Sequence, residues 1–262
     1  MPAPSKERSE DAMVVEPEHG VLAVLDGVGG WASVPGANPA EFAARLADAL
    51  RAAAAAGAAA DADADADAAA ADAHRVVDLA DAAVASLDKS TIMLGSSTMN
   101  VARIGRGASP ELHIYNLGDS QARVLARTGD DGYAIVASTE NGPSSQIVFN
   151  MPYQVGRNGN AVDDGSLFSV PVARGDVVLL TSDGIHDNLF NNQIVAVVDS
   201  LLGAASGPLQ DLPHDELSTL LDAAAARLII DARFHAERDA PTPFSPHGGK
   251  PDDSTAVVAV VV

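Results

Sequence analysis

Val21-Leu22-Ala23-Val24-Leu25-Asp26-Gly27-Val28-Gly29-Gly30-Trp31 is the stretch that decides the reading of this chain. Five consecutive apolar residues that stop at a turn suit a strand covered on both faces. The glycines allow backbone angles and close approaches that side chains would block. Asp26 then stands at the strand's end with the Gly27 carbonyl beside it, where a hard metal ion can bind.

The same arrangement recurs. Gly118-Asp119-Ser120 follows the apolar run 112–117, Ser182-Asp183-Gly184 follows 176–181, Asp252-Asp253-Ser254 precedes 255–262, and Glu10-Asp11 precedes 12–15. Taken singly, each Asp-Gly is an ordinary turn, because both residues suit turns for local backbone reasons. As a set, five carboxylate positions at strand ends converge if the strands share a sheet edge or face each other across a sandwich, and their repulsion calls for a cation. Oxygen donors without histidine or cysteine spacing point to magnesium or manganese rather than zinc. Two such ions about 4 Å apart acidify a water and clamp a phosphoryl oxygen, the usual arrangement for two-metal hydrolysis.

Composition bounds the alternatives. With 262 residues, 47% of them hydrophobic, the chain suits one sizeable core, and a single domain over 1–262 is expected. The absence of cysteine excludes a disulfide framework, a thiolate metal site and a cysteine nucleophile. A formal net charge of −20 disfavours nucleic acid and acidic membranes as partners. The first residues lack the apolar core of a signal peptide, and no run of about 18 apolar residues suggests a membrane span. An intracellular, cytoplasmic monomer is expected, in preference to a mitochondrial protein.

In chain order, residues 12–15 and 21–25 form a hairpin. Asn38-Pro39-Ala40-Glu41 opens a helix with a capping residue, proline in the first turn and an acid at the third position. The low-complexity Ala/Asp tract 52–73 reads as an extended or frayed helix leading to Val76, Ala80, Ala83, Val84 and Leu87. A partly disordered insertion is the other reading. Asp61, Asp63, Asp65 and Asp72 mimic calcium-loop positions, but Ala66 stands where that loop needs glycine, so the calcium reading ranks below a plain solvated tract. Residues 96–138 read as a meander of antiparallel strands, and 139–168 as a surface segment, a lid or substrate-facing loop. Asp187 or Asn188 caps a helix through Ile194 and Leu201, and an amphipathic helix covers about 215–234.

These motifs, in this order, resemble the metal-dependent (PPM, type 2C) serine/threonine protein phosphatases. The resemblance rests on Glu10-Asp11-Ala12, Asp26 through Trp31, Gly118-Asp119-Ser120, Ser182-Asp183-Gly184 with Asp187-Asn188-Leu189, and Asp252-Asp253-Ser254-Thr255. Val28, Phe149-Asn150-Met151-Pro152-Tyr153-Gln154 and Gly248-Gly249-Lys250-Pro251-Asp252-Asp253 are similar to the small branch of that family that includes mitochondrial phosphatases. The resemblance implies an α+β fold, a four-layer αββα sandwich of two antiparallel sheets flanked by helices, with the metal site at the sheet edges.

It further implies that Asp26 bridges two ions, with Gly27 and Glu10 completing one and Asp183 and Asp252 holding the other. Asp11 acts through a water. Asp119, with Asp183, holds a third, weaker ion, and Asp253 lies beside this set. A hydroxide between the ions attacks phosphoserine or phosphothreonine in a phosphoprotein, with no phosphoenzyme; Asp26, Asp183 and Asp252 carry the catalysis.

Three positions depart from the family pattern. Val28 replaces a histidine proposed to protonate the leaving group, leaving His186 or a water for that role. Lys6 replaces a phosphate-gripping arginine and offers a point charge without the bidentate fork, with Arg8 as the other candidate. Asp253 replaces an asparagine. A catalytically silent relative that binds phosphoproteins is the alternative function, and an acidic scaffold using the Ala/Asp tract is a third. Trp31, Phe149, Tyr153 and Gln154 either shape substrate access or anchor loops.

Overall fold

The computed structural model describes residues 1, 3, 8–61, 69–87, 94–105, 110–129, 132–156 and 159–262, the side chains of 58–61 and 69–72 excepted. The strands are β1 (Ala12–Glu16), β2 (Val21–Leu25), β3 (Ser96–Ser97), β4 (Met99–Ile104), β5 (Glu111–Leu117), β6 (Gln121–Arg127), β7 (Tyr133–Ser138), β8 (Gln146–Val148), β9 (Met151–Pro152), β10 (Val155–Gly156), β11 (Ser166–Pro171), β12 (Val177–Thr181) and β13 (Ala256–Val260). The helices are α1 (Pro39–Asp61), α2 (Ala69–Ser86), α3 (Asp183–His186), α4 (Asn191–Leu201) and α5 (His214–Ala236). The chain divides into two compact units. One comprises Arg8–Ser120 and Thr139–Pro171; the other comprises Met1–Glu7, Gln121–Ser138 and Val172–Val262.

In the first unit the five-stranded antiparallel sheet β1-β2-β4-β5-β11 carries α1 and α2. Alternate residues of its strands, Val21, Ala23 and Leu25 of β2, Met99 and Val101 of β4, and Tyr115 and Leu117 of β5, share one core with Phe42, Leu46 and Leu50 of α1 and with Val76, Ala80 and Ala83 of α2. Strand side chains alternate faces, and helix positions three and four apart share one; that is why these residues meet. Each fully buried leucine here, such as Leu46 or Leu50, contributes about 2–3 kcal/mol of transfer free energy. The expected cap forms: Asn38 Oδ1 accepts the Glu41 N–H at 3.1 Å, and Asn38 Nδ2 reaches Glu41 Oε2 at 3.3 Å.

In the second unit the antiparallel sheet β13-β12-β6-β7 carries α4 and α5. Leu125, Val177, Leu179 and Ala256 pack with Ile194, Val197 and Val198 of α4 and with Ala224, Leu228 and Ala232 of α5. All five residues of β12 are buried, as its unbroken apolar run suggests.

Three expectations are corrected. The strands of 96–138 do not form one meander: β5 belongs to the first sheet and β6 to the second, and Gly118-Asp119-Ser120 joins two units instead of closing a hairpin. Residues 139–168 are more than a surface loop, because β11 begins at Ser166 and pairs with β5 from Ser166↔Asn116 to Pro171↔Glu111. Its serines and proline conceal a strand held by backbone bonds. Helix α4 is not capped by Asp187 or Asn188; it starts at Asn191, and the Phe190 N–H donates to Gln193 Oε1 at 2.8 Å. Within the Ala/Asp tract, α1 runs to Asp61 and α2 begins at Ala69, and the expectation for residues 62–68 lies outside the described residues. The calcium-loop reading of Asp63 and Asp65 falls outside the described residues. Among the described residues no helix is long and apolar enough to cross a membrane.

Candidate metal centre

Antiparallel register gathers the acidic residues at one end of each sheet. In the first unit Ala12 pairs with Leu25, Val24 with Asn100, and Met99 with Leu117. The residues just before β1 (Glu10, Asp11), just after β2 (Asp26) and just after β5 (Asp119) therefore emerge at the same end. The carboxylate oxygens of Asp26 and Asp119 come within 4.8 Å of each other. Backbone approach at Gly27 is equally close. Its N–H donates to Glu10 O at 3.1 Å, and a Cβ there would lie 2.5 Å from that oxygen and 3.0 Å from Pro39 O, so only glycine fits.

Asp26 is held by Thr98, whose Oγ1 accepts the Asp26 N–H at 3.1 Å while its own N–H donates to Asp26 O at 2.9 Å. Thr98 Oγ1 also meets Ser120 Oγ at 2.9 Å, which ties the Asp26 and Asp119 corners together. Gln146 Nε2 donates to Asp119 Oδ2 at 2.9 Å. The Asp11 N–H donates to Ser9 Oγ at 3.3 Å. Arg8 is exposed, and Lys6 lies outside the described residues.

In the second unit Thr181 pairs with Ala256, so Asp183 after β12 and Asp252 before β13 lie at one sheet end. Ser182 fastens the two: its N–H donates to Thr255 O at 3.1 Å, and its Oγ accepts the Thr255 N–H at 2.9 Å. Lys250 completes this corner. Its Nζ donates to Asp183 Oδ2 and stands 3.4 Å from Asp187 Oδ2 and 3.3 Å from Asp252 Oδ2. Burial pulls the Lys250 pKa down, but Asp183, Asp187 and Asp252 outweigh it and hold the ammonium above its ordinary value. The other Asp183 oxygen, Oδ1, is buried and meets no hydrogen-bond donor among the described residues. A buried carboxylate oxygen without a donor is costly unless a cation faces it, so this residue fits a hard divalent ion.

Several candidate residues have other duties. Asp253 Oδ1 accepts the Ala3 N–H at 2.6 Å, so this buried carboxylate holds Ala3. His186 is buried with Nδ1 3.1 Å from Thr181 Oγ1, a contact that orients its ring. Asn188, expected as a cap, clamps the Lys250 backbone: Nδ2 donates to Lys250 O at 2.9 Å and Oδ1 accepts the Lys250 N–H at 2.9 Å. Trp31 Nε1 donates to Ser96 Oγ at 2.6 Å, and Ser96 Oγ donates to Gln154 Oε1, so Trp31 and Gln154 anchor loops. Tyr153 packs on the core of its unit, whereas Phe149 is 74% exposed at the β8–β9 tip.

Thr98, Gln146 and Lys250 have site roles absent from the sequence reading. The lysine's position two residues before Asp252 was the available signal. Thr98 and Gln146 gave none, since each acts through a hydrogen bond distant in sequence.

The family model described as Protein phosphatase 2C matches residues 4–222. The chain belongs to the protein phosphatase 2C family. It is 32% identical to the probable protein phosphatase 2C 55 of Arabidopsis thaliana over all of this chain and 50% of that protein, so it spans about half the length of that relative. The X-ray structure of the photosystem II phosphatase PBCP has a TM-score of 0.75 at 26% identity, covering 100% of this chain and 96% of that one. The catalytic domain of the serine/threonine protein phosphatase PstP, solved with 2 manganese ions, has a TM-score of 0.58 at 19% identity, covering 100% and 95%. The α+β fold with two antiparallel sheets flanked by helices is therefore that of the PPM phosphatases.

Proposed function

We propose that this chain hydrolyses phosphoserine and phosphothreonine esters in proteins, using divalent metal ions. The observation that carries the reading is the meeting of β12 and β13, which sets Asp183 and Asp252 at one sheet end with a buried Asp183 oxygen that no donor satisfies. Membership of the protein phosphatase 2C family turns that cation site into a phosphatase site.

The ions are magnesium or manganese, two per chain with a third held more weakly. Bound, they would acidify a water and clamp the phosphoryl oxygens. Asp183 and Asp252 would hold one ion, and Asp26, the Gly27 carbonyl and Glu10 another. Asp119 would contribute to the third, and Asp11 would act through a water. Thr98 and Gln146 keep Asp26 and Asp119 aimed by fixing backbone and carboxylate. Lys6 and Arg8 supply cationic charge for the substrate phosphate.

The test is hydrolysis of phosphoserine, phosphothreonine and phosphotyrosine peptides with added manganese or magnesium. Turnover on the first two should need the metal and vanish in Asp26→Ala and Asp183→Ala. Activity that survives chelation refutes the reading, and phosphopeptide binding without turnover would establish the silent alternative.

A further inference from the structure

Asp183 and Asp252 already share a cation, and the chain itself provides it. We propose that Lys250 is a tethered stand-in for the metal ion: its ammonium occupies the Asp183–Asp252 cation position in the metal-free protein, must leave when a divalent ion binds, and thereby sets that ion's affinity. This rests on the metal reading of Asp183 and Asp252 above.

Three features of the lysine support the role. Its Nζ reaches Asp183, Asp187 and Asp252 together, so one positive charge offsets three carboxylates in a largely buried corner. A divalent ion on Asp183 Oδ1 and the Asp252 carboxylate would stand across the same carboxyl groups from the ammonium that holds Asp183 Oδ2, where like charges repel strongly. The backbone of Lys250 cannot retreat, because Asn188 grips both its N–H and its C=O. Displacement therefore falls to the four-carbon side chain, which is flexible and carries a compact charge.

The ammonium also has somewhere to go. Asp187 is not among the proposed ligands, and its carboxylate lies 3.4 Å from Nζ. The Phe244 ring, 5.8 Å from Nζ, offers a cation–π face. A lysine suits this exchange better than an arginine, whose planar fork would hold the carboxylates bidentately.

The experiment compares the intact protein with Lys250→Met and Asp183→Asn by calorimetric titration of Mn²⁺ after chelation and dialysis. Lys250→Met should bind Mn²⁺ at least about tenfold more tightly, because a like charge has left the site. It should also melt at a lower temperature than wild type without metal, with the gap closing at saturating Mn²⁺. Equal affinities in wild type and Lys250→Met, with binding lost in Asp183→Asn, overturn the lysine's role and leave the metal site standing. A wild type that binds no Mn²⁺ overturns both.

If Lys250→Met does not fold, amine acylation of the wild type read by mass spectrometry decides the matter, with an added free amine as internal reference. Lys250 should label several-fold faster with Mn²⁺ than without. An unchanged or slower rate refutes its displacement.

Discussion

Gly184→Ala separates local propensity from tertiary fit. Gly184 sits in the single turn of α3, where alanine should stabilise a helix by about 1 kcal/mol over glycine. The surroundings predict the opposite. A methyl there would lie 2.8 Å from the Asp253 carbonyl carbon and 2.9 Å from Ser254 Oγ, and closer still to the Asp253 carbonyl oxygen. Ordinary contact begins at 3.4 Å, so the strand approach must shift by well over roughly 0.6 Å, against a tightly packed backbone. That shift also strains the bonds that Gly184 O accepts from Asn188 Nδ2 at 3.0 Å and Ser254 Oγ at 3.3 Å.

Overpacking costs about 1–3 kcal/mol, and weakening the two bonds adds about 1 kcal/mol or more. Against the helix gain, the net effect should be a loss of about 1–3 kcal/mol, read as a lower urea midpoint with an unchanged slope. Because Asp252 and Asp253 ride on the displaced segment, Mn²⁺ affinity should fall as well. A Gly184→Ala protein as stable as wild type, or more so, would refute the close approach of α3 to the β13 entry.

Two further substitutions probe the same packing. Asn188→Ala removes a buried amide that bonds Gly184 O and both backbone groups of Lys250, and should cost about 2–4 kcal/mol in urea denaturation; a loss below about 0.5 kcal/mol would show that the clamp is dispensable. Tyr115 is buried and donates to Val162 O at 2.8 Å; burial first, then Asp81, Asp164 and Asp163, push its hydroxyl above the ordinary value of 10.0. The folded protein therefore keeps this proton where the unfolded chain releases it. That contribution is complete below pH 10 and is lost as pH rises from there towards the folded pKa. Tyr115→Phe should cost roughly 1 kcal/mol near pH 8 and lose less stability than wild type between about pH 10 and 11, and parallel pH profiles would contradict the assignment.

Much of the site could be read along the chain because its ligand candidates sit at the ends of apolar runs, and the strands β2, β5, β12 and β13 lie close to where those runs fall. Helix α5, His214–Ala236, brackets the expected 215–234 for the same reason: its apolar spacing is local information. Strand β11 was hidden, since Ser166, Ser169 and Pro171 carry no apolar signature and their pairing with β5 is made by the backbone. The change of sheet between β5 and β6 was hidden too, because a Gly-Asp-Ser turn has the same composition whether it closes a hairpin or joins two sheets.

The sequence by itself determined the family and the acidic residues, because a rigid strand end followed by Asp and Gly is written in consecutive positions. Only the tertiary structure decided what surrounds them. Antiparallel register brought Asp252 to Asp183 from 69 positions away, and Lys250 came with it. That the lysine's charge balances Asp183 and Asp187 as well as its neighbour Asp252 is thus a matter of distance in space, to which hydrophobic period is not sensitive.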